Sequence, residues 1–142
     1  MSQFIPLSFN KIMQSRAYTV IILGTDTKKF AIYTEPQVGH HIQLHLGQLA
    51  PMTQSRRTRP YTYELLDRIL KGLNVKLLQV VISDVEETVY YARLFAEQQI
   101  GDEKVILEID ARPSDCITLA IIHKIPLFCK SDVLERAVAI ED

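Results

Sequence analysis

The run Asp110-Ala-Arg112-Pro-Ser114-Asp115 gathers two carboxylates, a guanidinium and a hydroxyl within six residues. It falls where a strand pattern gives way to a helical one, so the N–H groups and dipole of a helix N-terminus are available to an anion. A structural reading competes: Asp110 and Ser114 are natural capping residues, Pro113 suits a first helical turn, and Arg112 can pair with Asp115. Arg56-Arg57-Thr-Arg59 places three guanidinium forks in four residues. Such a cluster suits phosphates and equally suits a solvated basic loop. His41 and His45 have the i, i+4 spacing of paired metal ligands, with His40 beside them, but no HExxH pattern follows and a partly exposed helix flank suits them as well. Asp84, Glu86 and Glu87 crowd what reads as a hairpin turn, where acidic residues keep a turn tip soluble. No Walker A loop, GxGxxG, GxSxG or CxxC motif occurs, which leaves most familiar enzyme classes unsupported.

Elements must position these groups. Residues 18–23 read as a β-branched strand ending at Gly24, and residues 30–33 as its return. Thr34 with Gln37 makes a capping box for a helix whose apolar face is Val38, Ile42, Leu46 and Leu49. Residues 51–60 lack any apolar period and form a basic loop. Thr62 caps a second helix with Leu65, Leu66, Ile69, Leu70 and Leu73 on one face, closing near Gly72 and Asn74. Strands follow at 75–83, 88–96 and 104–109, then a buried helix over 116–124 that ends with His123 as a core or helix-end histidine, a short strand at 126–129 and a helix from Ser131 to about residue 138. Strand hairpins mixed with helices indicate an α+β fold: one compact domain with an antiparallel or mixed sheet and packed helices. Hairpin then helix recurs in each half, which suggests a duplicated unit. Residues 1–16 read as an N-terminal segment and residues 17–138 as the domain.

The chain has 142 residues, 47% of them hydrophobic, and a net charge of −1. These values exclude disordered and fibrous classes and allow a sizeable core. No apolar stretch approaches a membrane span, and no signal-peptide pattern opens the chain. Two Cys in apolar runs point to a reducing, cytoplasmic compartment. Near-neutrality conceals a split. Residues 1–76 hold ten basic and four acidic side chains, a net of +6, and the remainder holds six basic and thirteen acidic, a net of −7. That asymmetry fits a local phosphate-binding side, or two halves that neutralise each other in one fold.

Four segments occur in a telling order: Arg59-Pro60-Tyr-Thr62-Tyr63-Glu64-Leu-Leu66, Val80-Val-Ile-Ser-Asp84, Tyr90-Tyr-Ala92-Arg-Leu94, and Ile109-Asp-Ala-Arg-Pro-Ser-Asp115-Cys-Ile-Thr-Leu-Ala120. Together they resemble the bifunctional nuclease domain family over nearly the whole chain. The resemblance implies a compact α+β domain that associates as a homodimer or higher homo-oligomer, and cleavage of both RNA and DNA with little sequence preference. The matching positions are Arg59, Pro60, Thr62, Asp84, Asp110, Arg112, Pro113, Ser114 and Asp115. Two positions depart from the family. Its R-P-x-T-H-D becomes Arg59-Pro60-Tyr61-Thr62-Tyr63-Glu64, and its G-x-x-E-A becomes Glu35-Pro36-Gln37-Val38-Gly39. If the missing His or Glu takes part in cleavage, this chain is a weak or inactive member. A second, small helical module that some relatives append is not expected here.

The leading expectation is therefore a nuclease. Arg56, Arg57, Arg59 and Thr62 would bind the nucleic-acid backbone, and Asp110, Arg112, Ser114 and Asp115 would form the catalytic corner. Asp110 and Asp115 with Asp84 would hold a divalent cation, Mg²⁺ or Mn²⁺, that activates water, while Arg112 offsets charge on the phosphate. The rival is a non-catalytic oligomeric binding or regulatory module on the same fold, with the corner reduced to a cap and an ion pair.

Overall fold

The computed structural model describes residues 3–47 and 62–140. Among them the order is β1 (Phe4–Gln14), β2 (Thr19–Gly24), β3 (Lys29–Thr34), α1 (Pro36–His45), α2 (Thr62–Gly72), β4 (Val75–Glu86), β5 (Val89–Ile100), β6 (Glu103–Ala111), α3 (Pro113–His123), β7 (Leu127–Lys130) and α4 (Ser131–Arg136). The seven strands make one sheet in the order β3-β2-β1-β7-β4-β5-β6, and the fold is α+β as expected. All pairings are antiparallel except β4 with β7.

Strand alternation sends Ile21, Leu23, Phe30, Ile32, Val80, Ile82 and Leu94 to one face, where they join a single core with Val38 and Ile42 of α1, Cys116, Ile117, Leu119 and Ala120 of α3, and Val133 of α4. Leu66 and Leu70 of α2 pack against the same cluster. All four helices thus contribute to one side of the sheet. Helix α3 is apolar nearly all round, as its burial requires, with residues Cys116 to Ala120 all inside.

Each half lays down three antiparallel strands and then a helix opening on proline: β1–β2–β3–α1 and β4–β5–β6–α3. The repeated unit is therefore larger than a hairpin with a helix, because β1 belongs to it. Residues 4–14, set apart above as an N-terminal segment, are a strand inside the sheet. Phe4 to Leu7 pair with β7, and Ser8 to Gln14 pair with β2, with a register shift between Phe9 and Lys11. The shift returns Ile12 to the core face occupied by Phe9, which breaks the period of two. Pro6 is tolerated because its stretch has a ladder partner on the β7 side and none on the β2 side.

Smaller differences follow from turn chemistry. Strands β4 and β5 run through the acidic segment, so Asp84 and Glu86 are strand residues and Glu87 makes the turn with φ of 57°. Thr34 does not cap α1; Glu35 is the N-cap and makes no side-chain cap bond, while the Thr34 hydroxyl donates to the Glu35 carboxylate. Leu49 lies outside the described residues, as does the loop over residues 51–60.

Candidate active site

Both α1 and α3 begin on proline, and the residue before each is forced into extended backbone: Glu35 at φ −66°, ψ 153° and Arg112 at φ −66°, ψ 142°. Neither side chain caps its own helix. They turn to each other instead. Arg112 Nη1 donates to Glu35 Oε1 at 2.7 Å, and Arg112 Nε donates to Asp115 Oδ2 at 2.9 Å. From α2, the Tyr63 hydroxyl donates to Asp115 Oδ1 at 2.7 Å. The result is one chain of charge-assisted bonds, Thr34–Glu35–Arg112–Asp115–Tyr63, tying the starts of three helices together.

This network walls a cavity of about 730 Å³. Its floor is apolar, including Leu66, Leu77, Leu94, Ile109 and Leu119, and its rim carries Glu35, His41, Thr62, Tyr63, Arg112 and Asp115. His41 meets the Tyr63 ring edge-on at 5.3 Å. Two further hollows, of about 400 and 640 Å³, flank the other side of Arg112; Tyr91 and Asp110 line the first, Tyr33, Glu35 and Ser114 the second. Arg112 borders all three and is 58% exposed.

Electrostatics follow from the pairing. The Arg112 guanidinium, then the Thr34 hydroxyl, hold the Glu35 carboxyl at about 2, well under its ordinary value. Asp115 and Glu35 raise Arg112 in turn. Burial, then the hydrogen bond to Asp115, push the Tyr63 phenol above its usual range, so it stays a donor. Burial lowers His41, with His40 and His45 adding repulsion and Glu64 opposing. Cys116, beneath the corner, is pushed up to about 12, chiefly by burial, and is no nucleophile.

The corner residues expected from sequence are distributed unevenly. Arg112 and Asp115 meet as a pair. Asp110 is exposed on β6 opposite Arg93 and faces the smaller hollow. Ser114 is buried, and its carbonyl accepts the Thr118 hydroxyl at 2.7 Å. Neither Asp110 nor Ser114 caps α3, since Arg112 occupies that position. Asp84 does not join the corner: its Oδ1 accepts Arg136 Nη2 at 2.7 Å and the Val85 N–H at 2.8 Å, and Arg136 lowers its pKa. Among the described residues no three His, Cys, Asp or Glu side chains stand close enough to share a metal, so Asp84, Asp110 and Asp115 are not brought together as one ligand set. His123 ends α3, with its Nε2 buried, without a hydrogen-bond partner and 3.9 Å from Asp67. Thr62 opens α2 at the cavity rim. Arg56, Arg57 and Arg59 lie outside the described residues.

The model of the bifunctional nuclease domain matches residues 21–141. The chain belongs to the bifunctional nuclease domain family. Over 79 residues, 56% of its length, it is 30% identical to an uncharacterised protein of Mycobacterium tuberculosis, and the match covers 44% of that protein. Over the same length it is 29% identical to bifunctional nuclease 1 of Oryza sativa subsp. indica and 28% identical to bifunctional nuclease 1 of Arabidopsis thaliana, covering 24% of each. The alignment thus spans under half the length of these relatives.

In this bifunctional nuclease domain the residues that sequence reasoning passed over are the partners of the motif. The sequence presents Glu35 and Tyr63 only within the two segments that depart from the family, and His41 only through its i, i+4 spacing to His45. One signal for Glu35 was present: Glu35-Pro36 and Arg112-Pro113 are opposite charges placed alike before two Pro-led helices.

Proposed function

We propose that the protein binds the sugar–phosphate backbone of RNA and DNA and hydrolyses its phosphodiester bonds with little sequence preference. The observation that carries this reading is Arg112: an exposed guanidinium, fixed by two carboxylates, at the meeting of three hollows. A strand laid across it would present phosphate to a pre-oriented fork and bases to cavities on either side, Tyr33 and Tyr91 offering rings for stacking. Backbone contacts of this kind carry no sequence information. Glu35 and Asp115 leave the described corner with more negative than positive charge, so Arg56, Arg57 and Arg59, just ahead of Thr62 in sequence, are proposed to supply the remaining attraction for phosphate. No step is assigned to a metal ion. No helix among the described residues is long and apolar enough to cross a membrane. Self-association belongs to the same proposal, since the sheet face opposite the helices also exposes Phe4, Met13 and Ile106.

The test is cleavage of single-stranded RNA and plasmid DNA by the purified chain, with and without Mg²⁺ or Mn²⁺, beside Arg112→Ala and Asp115→Asn. Loss of cleavage in both variants is expected. Full activity in both would mark a contaminating nuclease. A second reading, binding without cleavage, draws on the occupation of both Asp115 oxygens by Tyr63 and Arg112. Salt-sensitive binding with no cleavage by the wild type would establish it.

A further inference from the structure

The sheet ends on two unlike edges. Strand β3 is six residues long with Phe30 and Ile32 buried, and the Ile140 N–H donates to its Lys29 carbonyl at 2.9 Å. Strand β6 is nine residues long and lies outermost at the other end. It pairs with β5 from Glu103 to Ala111 without a register shift, holds no proline, and is exposed throughout except at Leu107 and Ala111. Natural sheets blunt such an edge with a bulge, a proline or a covering segment, because its outward N–H and C=O groups are a template for another strand. Among the described residues no strand pairs with the outer side of β6.

We propose that two copies of the chain join through β6, antiparallel about a two-fold axis at Leu107, an inference that rests on the self-association proposed above and gives it a surface. Leu107 is the midpoint of the strand, so this register pairs all nine residues. Ile109 and Leu107 lie opposite Leu94 and Ala96 of the core, which puts odd-numbered β6 residues on the helix side. There Val105 meets Ile109 of the second copy, and Leu107 meets its own counterpart. On the other face Lys104 meets Asp110 and Ile106 meets Glu108. Apolar and opposite-charge pairs across strands stabilise a sheet, and no like charges stand opposite in this register. Moving the centre to Glu108 sets two carboxylates against each other; moving it to Ile106 leaves Asp110 and Ala111 unpaired. Self-complementarity of one strand is what selects a second copy as the occupant.

The pairing reaches the site. Asp110 lines the hollow of about 400 Å³ beside Arg112, and Arg93, opposite it in the ladder, is paired with Glu108 at 3.5 Å. Lys104 of the second copy, placed against Asp110, offsets that carboxylate and brings a cation to the rim of the hollow. The corner itself holds Glu35 and Asp115 against the single guanidinium of Arg112, so phosphate gains from the added ammonium. The dimer has two such composite corners, one toward each end of the shared ladder.

The experiment is sedimentation equilibrium across the micromolar range for wild type, Lys104→Glu, Asp110→Lys and the double variant. Both positions are exposed, so the fold tolerates the changes. Wild type is expected to be dimeric. Each single variant sets like charges opposite each other twice, and should raise the dissociation constant about tenfold or more. The double variant restores opposite charges and should recover most of that loss. Leu107→Cys reads the register: its thiol faces its own counterpart across the axis, so oxidised glutathione should link the two chains, whereas Val105→Cys, opposed by Ile109, should stay unlinked. Cys116 and Cys129 are buried. A monomeric wild type, or a dimer that ignores both charge changes and leaves Leu107→Cys unlinked, overturns the proposal. Single-strand binding, measured by anisotropy beside these, separates it from the nuclease reading. A dimer with the expected behaviour that binds no strand keeps the pairing, and overturns that reading together with the part of Lys104 in it.

Discussion

Glu35 and Arg112 hold the same place in two repeated halves, each the extended residue before a Pro-led helix, and they meet there at 2.7 Å. The pair joins the two halves, and it offsets part of the charge that Arg112 can offer a phosphate. Glu35→Gln therefore should strengthen nucleic-acid binding. Replacing one carboxylate releases a full guanidinium contact, so the slope of log affinity against log salt for a single strand should steepen by about 0.7. Fluorescence anisotropy across a salt series reads this directly, and an unchanged slope would remove Arg112 from the binding surface.

The same pair sets an acid dependence. The folded protein holds Glu35 at about 2 against an ordinary 4.5, so between those values the native state binds fewer protons than the unfolded chain. Its stabilisation is fully present above pH 4.5 and is lost as pH falls toward 2. Both partners are well exposed, and the whole contribution is about 0.2–1 kcal/mol. Unfolding free energies of wild type and Glu35→Gln from urea titrations should differ by that amount at neutral pH and converge at the acid end of the window.

Tyr63→Phe removes the donor to Asp115 Oδ1 while keeping the ring that packs against His41. Asp115 is a third exposed, so water replaces part of the bond. The expected loss is about 1–2 kcal/mol, a fall of roughly 3–8 °C in Tm. A thermal melt that does not move would show that the bond adds nothing to α2 docking.

Helix α1 crosses the sheet at Gly39, where an added methyl would meet the fully buried Thr19 side chain at less than van der Waals distance. The Thr19 hydroxyl already donates to the Pro36 carbonyl at 3.4 Å, so it has little room to rotate. Overpacking of about 1–3 kcal/mol should outweigh a helix-propensity gain of about 1 kcal/mol. Gly39→Ala is thus expected to lower stability, whereas Gly72→Ala, with open space around the new methyl, should raise it or leave it unchanged. Chemical denaturation of the two variants side by side decides whether α1 is packed this closely.

Strands with intact alternation were readable: β2 and β3 lie within a residue or two of their expected bounds, and α3 announced itself by an apolar run too dense for a surface helix. Strand β1 was not, because the shift between Phe9 and Lys11 turns a period of two into an irregular series and Pro6 reads as a breaker. The acidic turn is narrower than its composition suggests, because Asp84 and Glu86 are strand residues with side chains in solvent or on Arg136. At the site, the Arg112–Asp115 pair was legible as an i, i+3 contact. Its long-range partners, Glu35 and Tyr63, were not, since only the packing of α1, α2 and α3 brings them to the corner.

Strand β7 lies between β1 and β4, and Gln3 donates to the Ser131 hydroxyl from 128 residues away. During synthesis each three-stranded leaf can assemble from what has already emerged, but the leaves cannot join into one sheet until Lys130 leaves the ribosome. Closing so long a loop adds little entropy cost, since that cost grows only with the logarithm of length, yet it makes the joining late. A chain halted before Leu127 would display two bare strand edges, at Phe4–Leu7 and along Val80–Ile82, where the finished protein has paired backbone. Those edges, rather than the cavity, would decide whether the nascent chain stays apart from its neighbours.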